Sequence, residues 1–172
     1  EAITPSRIEK LRKRLVKVAA PSSNHDVTRN ALAEARQQAV QRARRLRDAI
    51  DRAGGIYLAD RLHRVRIEAK KLRYALEIER ELQHSRASAR LTRLKHQQDL
   101  LGRIHDLEVL IERTREVQAH LPASNRRAMG ELNRLVRALE AECREGHAEY
   151  MQHRDGLSHL CDAIVAESHP AA

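Results

Sequence analysis

Leu62, Val65, Ala69, Leu72 and Leu76 constrain this chain most, because their spacing suits an α-helix and nothing else. At about 100° per residue they fall within roughly 80° of one another, which predicts a helix with one buried side. Beside that apolar stripe, His63, Arg66, Lys70 and Arg73 recur at steps of three, four and three residues. They form a second stripe, entirely basic, rising roughly 15 Å along the helix axis. Like charges at these spacings repel, at a cost of a few tenths of a kcal/mol per pair. A helix selected for stability alone would interleave acids, yet the first acid on this face is Glu77, at its end. The stripe implies an anionic ligand.

The rest of the chain reads as more helix. Hydrophobic residues make up 41% but aromatics only 2%, with no Trp and no Phe, so the core must be Leu, Ala, Val and Ile. A charged fraction of 33%, few Gly and Pro, and no period-two alternation predict an all-α protein. Thr4 and Pro5 suit a helix start, and a first helix over about 5–19 buries Ile8, Leu11, Leu15 and Val18. Its other side carries Arg7, Lys10, Arg14 and Lys17, again at three, four, three. This is either a second anion-facing stripe or a solvated face.

A second helix is expected over about 27–53, stopped by Gly54 and Gly55, with small apolar positions at Ala31, Ala35, Ala39 and Ala43. Among its many arginines only Arg36 is backed as a ligand contact. The helix with the basic stripe should span about 56–82. After a polar connection, the next should span about 87–120 and close at Pro122. Gly102 in its middle costs about 1 kcal/mol relative to Ala and suggests a kink or the close approach of another backbone. Residues 124–167 read as one long helix or two, interrupted near Gly156, with Leu132, Leu135, Leu139, Leu157, Leu160 and Ile164 facing the core. Short connections between long helices predict an up-and-down bundle of about four antiparallel helices, with a short extra C-terminal helix as a variant. Residues 1–172 are read as one domain with its core over about 5–165.

The spelling of the striped helix resembles the CHAD family, the conserved-histidine α-helical domain. The resemblance rests on Leu62, His63, Arg66, Ile67, Lys70, Leu72, Arg73, Tyr74, Leu76 and Glu77. It continues downstream in Leu91, Leu94, Gln98, Asp99, Leu101, Gly102, His105 and Asp106. It implies an all-helical module that binds inorganic polyphosphate through basic side chains. A full domain of this kind resembles two tandem four-helix halves, and this chain is similar to the second half alone. Two readings follow: a homodimer that completes a two-half channel, or a piece of a longer protein.

The net charge of +9 points the same way, toward a polyanion such as polyphosphate, nucleic acid or an anionic membrane surface. Arg forks two N–H groups onto phosphate oxygens and Lys acts as a compact charge, so a row of them suits a repeating anion. Next to phosphate, His63 would favour its cationic form. Tyr74 is expected either to donate its hydroxyl to phosphate or to pack half-buried between helices. Lys95 would add a cation from the facing helix, and Asp106 would orient an arginine or cap locally.

No catalytic role and no cofactor is expected. Glu-x-x-His occurs once, at Glu81 and His84, and His147, His153 and His159 are spaced off a common helix face. Nucleic-acid binding is the alternative, followed by a purely structural or protein-partner role. Base stacking needs aromatics, and the chain has three tyrosines and no others. Cys143 and Cys161 have neither disulfide-framework nor metal spacing, and read as small buried thiols of a cytoplasmic protein. No membrane span or secretory leader is expected.

Overall fold

The structure, a computed structural model, describes residues 25–83, 89–122 and 124–167. Four helices make up these residues, with no strand among them: α1 (His25–Ala53), α2 (Ala59–Leu82), α3 (Ala89–His120) and α4 (Arg126–Glu167). Each helix packs on the two beside it, α1 on α2, α2 on α3, α3 on α4 and α4 on α1. The expected up-and-down ring of helices is what forms. The expected first helix, with Arg7, Lys10, Arg14 and Lys17, lies outside the described residues.

Local chemistry sets the ends. Gly54 adopts φ 63° and lets the chain leave α1, its N–H reaching back to the Ile50 carbonyl. The expected start of α2 at residue 56 moves to Ala59. Tyr57 turns inward instead, donating its hydroxyl to Glu108 of α3 at 2.7 Å, and Ile56 is left exposed. Asp60 in the first turn of α2 complements the helix N-terminus. Asn125 caps α4, its Oδ1 accepting the Ala128 N–H at 3.3 Å. From there α4 runs unbroken through Gly156, so of the two readings one long helix is what forms.

Ala39, Ala43, Leu46 and Ile50 of α1 meet Leu62, Val65, Ala69 and Leu72 of α2, and Leu94, Leu101, Tyr150 and Cys161 complete the main core. The helix pairs are unequal in length, 29 and 24 residues against 32 and 42. α3 and α4 therefore run on past the 54–58 connection as a two-helix extension. There, among the described residues, a narrow seam is covered, its apolar part made by Ile111, Val136, Leu139 and Cys143. This corrects the expected α4 core face: Leu132 is only half-buried and Leu135 is exposed, while Val136 takes the buried position. At Gly146 of α4 a Cβ would lie 2.8 Å from Ile104 Cγ1 of α3.

Candidate anion-binding face of helix α2

Burying Leu62, Val65, Ala69, Leu72 and Leu76 against the core fixes where every other residue of α2 points. Arg66, Arg73 and His63 come out on the flank next to α3, and Lys70 turns toward solvent. Glu68, Lys71 and Glu79 come out on the flank next to α1.

Arg66 is half-buried, its guanidinium passing over α3 at Gly102, where a Cβ would lie 4.0 Å from Arg66 Nε. This corrects the expectation for Gly102: α3 is continuous there, and what approaches is a side chain rather than a backbone. Arg66, Gln98, Asp99, Arg103 and Asp106 line a groove of about 570 Å³ between α2 and α3. Arg103 is tied to Glu142 of α4 at 2.9 Å.

Lys70 is exposed. Like Arg66, it makes no ion pair among the described residues. Its Nζ lies 5.9 Å from the centre of the Tyr74 ring, and Arg73 Cζ lies 4.8 Å from it. Tyr74 is half-buried, with the cations of its own helix against its ring. Arg73 donates to Glu77 at 2.5 Å through Nη1, leaving its Nε buried without a hydrogen-bond partner. Gln98 Nε2 and His63 Nδ1 are likewise buried and unpartnered among the described residues.

His63 sits where the row begins. Its ring centre is 4.7 Å from that of His105 on α3, and His105 Nδ1 is 3.9 Å from Glu108. Burial lowers the His63 pKa below 6.5, helped by His105 and Arg66, while Glu108 and Asp60 pull the other way. Carboxylates thus close the row at both ends, Asp60 and Glu108 near His63 and Glu77 at Arg73.

The structure brings His63, Arg66, Lys70, Arg73 and Tyr74 together along one face. Lys95 is exposed on α3, two turns before Gly102, so the antiparallel register sets it level with Arg73, two turns beyond Arg66. Arg36 does not join them. Its Nε is held by Glu79 at 3.4 Å, and Glu79 points about 140° around α2 from Arg66. Asp106 lines the same groove as Arg66 but makes no ion pair with it. Sequence reasoning missed the unpartnered donor of Gln98 and the stacking of His63 on His105. Its only pointer to them was the family-like segment from Leu91 to Asp106.

Among the described residues no group of three or more His, Cys, Asp or Glu is gathered to hold a metal ion. His147 lies instead against Tyr57 and His153 against His96. No helix of the described residues is long and apolar enough to cross a membrane.

Comparison with curated proteins and with solved structures yields no match. The model of the CHAD domain family matches residues 1–115, a span that holds all of α2 and the α3 residues around Gly102 and ends before α4. With that match covering well over half of its length and both motifs seated on one face, the chain belongs to the CHAD domain family.

Proposed function

We propose that this chain binds inorganic polyphosphate along the α2–α3 face, as a holder of the anion and without a catalytic step. One observation carries the reading. The chain has 24 carboxylates, yet Arg66 and Lys70, beside Arg73 on one face, pair with none of those described, whereas Lys71 on the other flank is paired with Glu68. Left alone, such a row repels itself; a linear polyanion would turn the repulsion into attraction at each step. The buried, unpartnered Nε of Arg73 and Nε2 of Gln98 are donors that a phosphate oxygen could satisfy. Pairing two copies so that their stripes face across the anion, the expected homodimer, belongs to the same proposal.

Nucleic acid would use the same phosphate contacts but wants stacking platforms as well. Tyr150 is fully buried, Tyr57 is engaged with Glu108, and Tyr74 has cations against its ring. The test is a competition in which long-chain polyphosphate, heparin, RNA and duplex DNA displace one labelled polyanion at fixed salt. Polyphosphate is expected to displace at the lowest phosphate concentration. RNA or DNA doing better would transfer the site to nucleic acid. Sedimentation with and without polyphosphate tests the pairing, and an unchanged monomer at saturation rejects it.

A further inference from the structure

The flank of α2 away from the stripe carries a second concentration of positive charge. Arg45 and Arg52 of α1 face Arg61 and Arg64 of α2 across a groove of about 610 Å³ near the 54–58 connection. Three acids share the groove: Asp48 lies 3.6 Å from Arg52, Glu68 holds Lys71 at 2.7 Å, and Asp60 sits in the first turn of α2, leaving the arginines in excess. Arg45 and Arg64 are exposed and make no ion pair among the described residues. Arg61 is fixed in place, donating through Nη1 to the Arg52 carbonyl at 2.9 Å, so its remaining N–H groups are preorganised. Guanidiniums brought together from two helices repel in the free protein and match phosphate oxygens in a bound one.

We propose that this α1–α2 groove is a second seat for a linear phosphate chain, on the opposite side of α2 from the stripe. The inference rests on the polyphosphate reading and extends it. A chain long enough to pass around the exposed side of α2 occupies both seats at once. The second contact is then intramolecular, so affinity climbs with chain length without any new residue being involved.

The experiment measures binding of tripolyphosphate and of a long-chain polyphosphate to the full chain and three variants. The groove variant is Arg45→Gln/Arg64→Gln, and the stripe variant is Arg66→Ala/Lys70→Ala/Arg73→Ala. Arg126→Gln/Arg134→Gln on α4 removes the same charge as the groove variant, far from either seat. Tripolyphosphate is expected to bind at two sites in the unaltered protein and at one in either seat variant. For the long chain, the groove variant should lose about tenfold in affinity, well beyond the α4 control.

A groove variant that keeps both tripolyphosphate sites, with long-chain affinity equal to that of the control, overturns the second seat. If the stripe variant then loses its binding, the polyphosphate reading survives alone. Loss in the groove variant with full binding in the stripe variant has the opposite meaning: the groove stands and the stripe assignment falls. Both arginines are exposed, so folding should be unaffected. If thermal melting shows otherwise, Arg64→Gln alone serves as the deciding variant.

Discussion

Lys70 and Lys71 are neighbours in the chain and carry the same charge, yet they stand on different flanks of α2. Lys71 reaches Glu68 at 2.7 Å, and Glu68 is a buried acid whose other oxygen has no partner among the described residues. Lys70 meets no acid there and lies over the Tyr74 ring of its own helix. A cation beside a buried carboxylate offsets the cost of desolvating it, and so belongs to the fold. A cation in a row of cations with no acid between them adds nothing to the fold that a neutral residue would not. The difference teaches that net charge is a poor guide to function here, and that pairing is a better one.

The largest expected effect comes from emptying the stripe. Each residue of the stripe that neutralises one phosphate contributes about −0.7 to the slope of log affinity against log salt, taking a flexible single strand as the guide. Arg66→Ala/Lys70→Ala/Arg73→Ala should therefore flatten the slope for long-chain polyphosphate by about two units and weaken binding by orders of magnitude at low salt. Lys71→Ala should instead strand Glu68 and lower unfolding stability by about 1 kcal/mol, with a smaller change of slope than Lys70→Ala gives. Equal slopes for the two single variants would erase the distinction between the flanks. Lys71 and Arg64 are thus unsuitable as neutral controls for the stripe, one being tied to Glu68 and the other lining the second groove.

Much of this was legible from periodicity alone. The apolar stripe of α2 determines which way its cations point, so the row from His63 to Arg73 could be read before any neighbour was known. What was not legible depends on residues far apart in the chain. Arg36 was chosen from seven arginines spread around one helix, and its pairing with Glu79, 43 positions away, follows from the register of α1 on α2. The inward turn of Tyr57 ahead of α2 is tied to Glu108, 51 positions away. Gly102 and Gly146 look alike in sequence, but only at Gly146 does another helix come within a methyl group's reach. Leu135 and Val136 are both apolar, and the absence of α1 and α2 beside that stretch decides which one is covered.

A smaller effect comes from pH, and it separates the stability of the fold from the strength of binding. His63 and His147 both have pKa values lowered from 6.5 in the folded chain, in each case chiefly by burial. As pH falls below 6.5, the unfolded chain takes up these protons before the folded one does. The free protein should lose stability across that window and be unaffected by these two groups above it. Bound phosphate favours protonated His63, so binding takes up a proton and affinity should rise as stability falls. His63→Gln should flatten the pH profile of affinity between about 5.5 and 7 while leaving the contribution of His147 to stability in place. An affinity profile that keeps its full slope in this variant would remove His63 from the site.

The smallest effect concerns Tyr74, and it decides what the ring is for. No hydrogen bond of its hydroxyl is seen among the described residues, whereas Arg73 lies against its ring and Lys70 near it. At an exposed site a cation–π contact contributes about 0.5–1 kcal/mol. Its role would be to hold two flexible side chains where a phosphate chain can reach both. Tyr74→Phe keeps the ring and should bind polyphosphate within about twofold of the unaltered protein, whereas Tyr74→Ala releases both cations and should lose about three- to fivefold. Should Tyr74→Phe lose as much as Tyr74→Ala, the hydroxyl itself touches phosphate. The tyrosine would then be a direct contact of the stripe rather than a support for its cations.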